Sequence, residues 1–408
     1  MTWASSGGQT KSEAETTRLV NDALLQDDFD PADLNGFNAH TENIRLDRSQ
    51  ISLSTLPKFQ ESAVTIEVPS GDREIGSQDF RIPGLQYRSI LSVIKSIFAE
   101  PLAEKFHFIP FKLFRALPGS DLLEQHDVVQ RLAAPLEQLD CKLERVVLGL
   151  MFWSDSTHLA SFRNANLWPI YMMFGNLSKY IRSRPNSGAC QHIAYIPSLP
   201  ASFHDFASSF FTKWSIAKQR KSLLTHCRRG LMHAVWKFLL DDEFVHAYNY
   251  GIVIQCPDEI EHRFYPQIFT YSVDYPEKDK GKCPCPRCLV EKSALDQMGL
   301  YHDLRNRITK FRELLTDAVT RARDFIYRLG FPINGTAVDN LLKDTSSIPT
   351  INSFVACLGT RFNVPQMLAV DLLHEIELGV WQTLFTHLIR MLYAAPHGPI
   401  LVARLDER

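Results

Sequence analysis

Between Arg145 and Ile196 the chain carries three short runs of apolar, β-branched or aromatic residues. They are Arg145–Trp153, Leu167–Phe174 and His192–Ile196, each followed by turn-forming or polar residues. Runs of this length and composition predict strands. A helical stretch follows at about Leu223–Tyr248, then a strand pair, Gly251–Gln255 and Arg263–Val273, separated by Pro257-Asp258. Three strands, a helix and further strands define an α/β order, and 408 residues allow one large domain with insertions or two to three smaller ones. The hydrophobic share of 45% and aromatic share of 11% are enough for a real core.

On either side of this block the pattern changes. Up to about residue 80, segments such as Ser5–Lys11 and Pro69–Arg73 mix turn formers with charge and show little periodicity, apart from a short helix expected over Glu13–Gln26. From Tyr87 on, Ile90, Leu91, Val93, Ile94, Ile97, Phe98 and Leu102 recur at helical spacing. After Cys288, helices are expected over about Leu300–Leu315, Ala318–Leu329 and Met367–Tyr393. The expected organisation is a largely disordered region over 1–85, a core over 86–395 with a cysteine-rich insertion at about 276–365, and a short tail over 396–408.

No apolar run approaches the length of a membrane-spanning helix, and the polar, acidic N-terminus lacks the blocks of a signal peptide, so an intracellular protein is expected. In that setting eight cysteines are not a disulfide framework. Charge is almost balanced, with 44 Lys and Arg against 46 Asp and Glu, so any nucleic-acid role must rest on local patches. The strongest basic patch combines Lys218, Arg220 and Lys221 with Arg228 and Arg229. It suits either contact with DNA phosphates through charge alone or a solvated helix face. A Gly-x-Ser-x-Gly elbow and a phosphate-cradling glycine loop are both missing from the sequence, which argues against hydrolases and nucleotide-binding enzymes built on those motifs.

Carboxylates follow two of the expected strands. Asp155 comes just after Val146–Trp153, and Asp274 ends Ile268–Val273. A third acidic group occurs in Asp371–Glu377. Acids at the C-terminal ends of strands, drawn from distant parts of the chain, are what a two-Mg²⁺ site requires, because Mg²⁺ takes hard oxygen ligands. The same residue type in the same place also serves as a turn former or helix N-cap. His158, three residues after Asp155, would either orient a carboxylate or be a polar surface or half-buried histidine. Cys283, Cys285 and Cys288 form a C-x-C-x-x-C cluster that would either share a Zn²⁺ ion or pack as a reduced turn held by Pro284 and Pro286.

At these residues the sequence resembles the Plavaka transposases of basidiomycete fungi, relatives of the CACTA-type elements. The strings that carry the resemblance are Phe106–Lys112, Leu150–Thr157, Leu167–Tyr171, Ala194–Pro200, Leu239–Phe244, Cys283–Val290 and Asp371–Trp381, in that order. The resemblance implies an α/β, RNase H-like mixed sheet with a helical insertion and a cysteine knuckle. It also implies DDE-type, two-Mg²⁺ (or Mn²⁺) phosphodiester cleavage and strand transfer on transposon-end DNA, in the nucleus, with self-association. By motif, Asp155 and Asp274 would be the first two acids and Glu377 the third, ahead of Glu375 and Asp371. Relatives carry a C-x-x-C insertion here, which favours Cys285 and Cys288 as Zn²⁺ ligands, completed by Cys283 and a histidine such as His374 or His387.

Three departures from the family pattern lead us to expect a degenerate or truncated copy. Only Asp279–Lys282 separates the Asp274–Lys278 motif from the cysteines, the block Leu113–Cys141 is shortened, and the chain ends at Arg408 without an N-terminal zinc-finger-like region. The alternative function is a non-catalytic DNA- or protein-binding remnant.

Overall fold

Val64, Ile66 and Val68 are buried while Thr65 and Glu67 between them are exposed, and this alternation begins a sheet well before residue 86. In the computed structural model the chain divides into two units, Met1–Thr55 and Leu56–Arg408. Described are residues 56–108, 142–158, 166–184, 187–273, 282–359 apart from 284, 286 and 315, 362–369 and 380–406, with the pairs 114–115 and 123–124 and a few positions between 25 and 41. The helix expected over Glu13–Gln26 lies outside them, except for Leu25 in a turn. Hydrogen bonds within the first unit's described residues are local, such as the Ala32 N–H donating to Asp30 Oδ1 at 2.8 Å.

The second unit is built on a mixed sheet of eight strands. These are β1 (Gln60–Pro69), β2 (Ser77–Tyr87), β3 (Glu144–Ser154), β4 (Pro169–Phe174), β5 (Gln191–Tyr195), β6 (Ile252–Gln255), β7 (Glu261–Val273) and β8 (Leu368–Ala369). They are ordered β1-β2-β5-β4-β3-β7-β6, with β8 also pairing with β7. The pairs β1–β2, β2–β5, β5–β4, β4–β3 and β6–β7 are antiparallel, whereas β3–β7 and β7–β8 are parallel.

The three strands expected between residues 145 and 196 are present, as is the pair after residue 250. The expectation of little order up to residue 85 does not hold for 60–85, because β1 and β2 form a hairpin there. The turn formers at Pro69–Arg73 mark that hairpin's connection and not a disordered stretch. The continuous helix expected from Met367 also gives way: Leu368 and Ala369 add to the sheet edge, and the next α-helix among the described residues spans Gln382–Ala394. Two residues are too few to show a strand's period, and only pairing with β7 makes them one.

The helices are α1 (Ile90–Phe98), α2 (Ala201–Phe210), α3 (Ala217–Leu239), α4 (Asp242–Tyr250), α5 (Tyr301–Thr309), α6 (Asp317–Tyr327), α7 (Thr336–Leu342), α8 (Ser353–Leu358), α9 (Gln382–Ala394) and α10 (Gly398–Asp406), with single turns at Lys179–Arg182 and Val364–Met367. The helical stretch expected over 223–248 is thus two helices. Asp241 breaks it by capping α4, accepting from the Phe244 N–H at 2.7 Å, and Asp242 and Glu243 complement the new helix dipole. Gly251 ends α4 at φ 74°, where a Cβ would meet Arg263 Cγ at 2.8 Å, so the chain can turn directly into β6.

One face of the sheet, carrying Val146, Leu148, Leu150, Phe152, Ile170, Met172, Phe174 and Ile193, is buried. Phe98 of α1 packs on Phe264 at 4.4 Å, and Trp236 of α3 meets Phe152 edge-to-face at 5.1 Å. Residues of the opposite face, including Met151, Trp153, Tyr171, Met173 and His192, are half-buried. Among the described residues, no helix is long and apolar enough to cross a membrane.

Candidate functional site

The register of the parallel strands decides which residues meet at the end of the sheet. β7 contains a bulge at Phe269: Ile268 pairs with Leu150, but Thr270 pairs with Met151. One residue is gained, so Tyr271 faces the same side as its partner Phe152, and Val273 pairs with Ser154. The Phe269 ring lies across Gly149, where a Cβ would approach it to 2.7 Å, so the bulge depends on a residue without a side chain. On the other edge of β7, Leu368 pairs with Tyr271 and Ala369 with Ser272. Three parallel strands therefore finish side by side.

A buried polar layer locks these ends on the helix-covered face. The Tyr271 hydroxyl is 2.8 Å from Ser154 Oγ and accepts from Trp236 Nε1 at 3.2 Å. Burial pushes the phenol up to about 12, against the lowering effect of its bonds to Ser154 and Trp236, so it remains a neutral hydrogen-bonding group. The layer joins β3, β7 and α3 through side chains that are 4% exposed or less.

Asp155 directly follows Ser154 and is half-buried, next to the exposed Ser156 and Thr157. On the half-open face, Trp153 stacks on Tyr171 with centroids 4.9 Å apart, and Tyr171 meets His192 edge-on at 4.7 Å. His192 Nδ1 is 2.8 Å from the Tyr195 hydroxyl, and burial together with Arg88 holds this imidazole below its usual value. The Tyr171 phenol is raised by burial first, then by neighbouring acidic groups that include Asp155. This aromatic row beside Asp155 went unread in the sequence, where alternate residues of two strands do not show that they share a face. His158 lies in a two-residue strand paired with Asn166–Leu167. Asp274, Asp371, His374, Glu375 and Glu377 lie outside the described residues.

The cysteine loop is anchored beside this end of the sheet. Arg287 donates from Nε to the Leu368 carbonyl of β8 at 2.7 Å, and its Nη2 reaches the same oxygen. Arg312 organises the loop from within: it is 8% exposed and donates to the carbonyls of Cys283, Cys285 and Thr345. The Cys285 and Cys288 side chains interact with each other. Burial alone would raise the Cys285 thiol, but the N–H groups of Arg287 and Cys288, the Cys288 thiol and the charge of Arg307 outweigh it and hold Cys285 below its usual value. Cys283 points elsewhere, with Sγ 3.5 Å from the carbonyl oxygens of Leu289 and Asp344. The structure thus brings Cys285 and Cys288 together and directs Cys283 to backbone.

The basic residues sit on the N-terminal half of α3. Lys218, Lys221, Arg228 and Arg229 fall within roughly 100° of the helix circumference at 3.6 residues per turn, opposite the buried Leu223, His226 and Cys227. Lys218, Lys221 and Arg228 are exposed and Arg229 is half-buried. Arg220 falls off the stripe and lies over Trp214 at 5.7 Å. A surface groove of about 520 Å³ at the α3–α4 junction, lined by Tyr87, Phe238 and Asp242 among others, lies apart from Asp155 and the cysteine loop.

The fold and its acid-bearing strand end define a mixed α/β protein with a parallel strand pair at the centre of the sheet. The chain matches the family model described as Plavaka transposase over residues 48–390, and it belongs to that family. No curated protein matches it.

Proposed function

We propose that this transposase-derived protein cleaves and joins DNA phosphodiesters by DDE-type, two-Mg²⁺ chemistry, with Asp155, Asp274 and Glu377 as the acids. The observation that carries the reading is the in-register parallel pairing of Val273 with Ser154. Paired strands lie about 4.8 Å apart, and the residues that follow this pair in the chain are Asp155 and Asp274. Carboxylates that follow adjacent, in-register parallel strands could turn toward a shared pair of ions. Hard oxygen donors are also the set that Mg²⁺ takes. Glu377 comes from the family motif. In the chain it lies eight residues after Ala369, which is paired with Ser272.

The strand order β5-β4-β3-β7-β8, antiparallel on one side of β3 and parallel on the other, supports an RNase H-like core. When bound, the metal pair would activate a water or a 3′-hydroxyl and stabilise the leaving oxygen. The chain's own contribution is to hold Asp155 on a strand end braced by the Ser154–Tyr271–Trp236 layer. The α3 stripe would bind DNA phosphates without reading sequence. We assign the cysteine loop to Zn²⁺ on Cys285 and Cys288, with Cys283 and His374 completing the set; Cys283 would have to turn from its carbonyl partners to join. Transposon-end DNA as partner, self-association and action in the nucleus follow from the same reading.

The test is Mg²⁺-dependent nicking of supercoiled DNA by wild type and Asp155→Asn. A loss of about 100-fold or more is expected, the scale of removing a group that acts on the transition state. Equal rates would remove the assignment. DNA binding without nicking in the wild type would favour the non-catalytic remnant.

A further inference from the structure

At the opposite end of β7, roughly 35 Å from Val273 at the rise of a strand, the β6–β7 turn gathers a second set of ligand-type side chains. One ligand atom each from Cys256, Asp258 and His262 lies within 4.8 Å of the others. Cys256 is 6% exposed and His262 is 4% exposed. Neither ring nitrogen of His262 has a hydrogen-bond partner, although both are buried. Carboxylates nevertheless face both: Glu144 Oε2 is 3.3 Å from Nδ1 and Asp258 Oδ2 is 3.8 Å from Nε2. A buried imidazole without a hydrogen bond on either nitrogen is costly, and such a group calls for an explanation.

We propose that this turn is a Zn²⁺ site in which Cys256 Sγ, Asp258 Oδ2 and His262 Nε2 are the ligands and Glu144 orients His262 through Nδ1. Thiolate, imidazole and carboxylate together are a zinc donor set, and three protein ligands leave a fourth position for water. Glu144 on the second nitrogen is the carboxylate–histidine–metal arrangement that fixes a ligand's tautomer. The division of labour within Asp258 fits as well. Its Oδ1 accepts from the Ile260 N–H at 3.1 Å, which leaves Oδ2 for the ion. The backbone closes the turn independently, through Cys256 N–H to the Ile260 carbonyl at 3.0 Å and Glu259 N–H to the Cys256 carbonyl at 2.9 Å. Binding would convert the Cys256 thiol to a thiolate and release its proton to solvent.

The site would clip the β6–β7 turn to the first residue of β3, since His262 is paired in register with Glu144. It is remote from Asp155 and shares no ligand with the cysteine loop, so it stands or falls apart from the catalytic reading.

The test titrates metal-stripped full-length chain with Co²⁺, then with competing Zn²⁺, in a Cys285→Ser background that weakens the other cysteine cluster. Expected are a sulfur-to-cobalt charge-transfer band and tetrahedral cobalt bands that Zn²⁺ displaces. Cys256→Ser should abolish the charge-transfer band. Asp258→Asn should weaken affinity by about ten-fold or more, and Glu144→Gln by about ten-fold. Asp258 is exposed, and its amide replacement still offers Oδ1 to Ile260, so this variant carries the test if Cys256→Ser fails to fold. The absence of cobalt bands in the parent, or a titration of Asp258→Asn that overlays it, overturns the site and leaves His262 simply packed between Glu144 and Asp258.

Discussion

Tyr271 illustrates how one side chain can set the geometry of a site it does not enter. Its hydroxyl is the shared partner of Ser154 Oγ and Trp236 Nε1, and all three groups are buried. Tyr271→Phe would leave both partners unsatisfied and should cost about 1–3 kcal/mol in urea or guanidinium unfolding. Ser154→Ala should cost less, because the tyrosine hydroxyl still accepts from Trp236. The reverse order would show that the layer does not act as described. Because Ser154 precedes Asp155, Tyr271→Phe should also slow nicking if the strand end is the catalytic end.

At the scale of the element, α3 changes its buried side along its length. Near the N-terminus Leu223, His226 and Cys227 are buried, whereas toward the C-terminus Val235, Trp236 and Leu239 bring burial round to the side that carries the basic stripe. A helix that buries two sides in succession shows only a blurred apolar period, and for this reason its basic residues could be read as either a DNA surface or a solvated face. If the stripe binds phosphates, Lys221→Glu with Arg228→Glu should weaken DNA binding and reduce the salt slope by about 1 for each phosphate no longer neutralised. Fluorescence anisotropy at several salt concentrations measures both quantities, and an unchanged slope would count against the stripe.

Across the whole second unit, a small core of Val319, Ala322, Ile326, Val338 and Leu342 accompanies the main one. It is tied to α3 and β1 by polar contacts. His226 Nε2 is 2.7 Å from the Tyr327 hydroxyl, and Arg323 Nη2 is 3.4 Å from Glu67 Oε2. α8 is fastened likewise, with the Ser353 N–H donating to His233 Nδ1 at 3.3 Å. Burial lowers both imidazoles, His226 to about 3, with Arg323 and Arg229 adding to the effect, and His233 to about 4. The neutral forms therefore belong to the folded state. Their stabilisation is complete above the unfolded histidine value near 6.5 and is lost as pH falls through that value toward the folded ones. Between pH 7 and pH 5 the unfolding free energy should fall by up to roughly 2 kcal/mol per histidine. His233→Asn, whose Oδ1 can still accept from Ser353, should flatten part of that slope in denaturant titrations at each pH.

Much of this protein was legible in its sequence because strands, caps and motifs are local patterns. The three runs from Arg145 to Ile196 are the strands they looked like, and Asp155 follows its strand as read. The cysteines were visible as a cluster, and the family resemblance already favoured Cys285 with Cys288; the turn of Cys283 to backbone carbonyls was not visible, because Arg312 and the 344–346 turn impose it from elsewhere. β1 does alternate over Val64–Val68, whereas β2 alternates weakly and β8 is too short to alternate at all, so pairing makes these last two part of the sheet. The sequence by itself determined the strands from Arg145 to Val273 and which acids follow two of them. Only the tertiary structure decided that β3 and β7 are parallel neighbours in a register set by the Phe269 bulge, and that Glu144 faces the Cys256–His262 turn. Residues more than 100 positions apart meet there through long-range strand pairing, which no local period encodes.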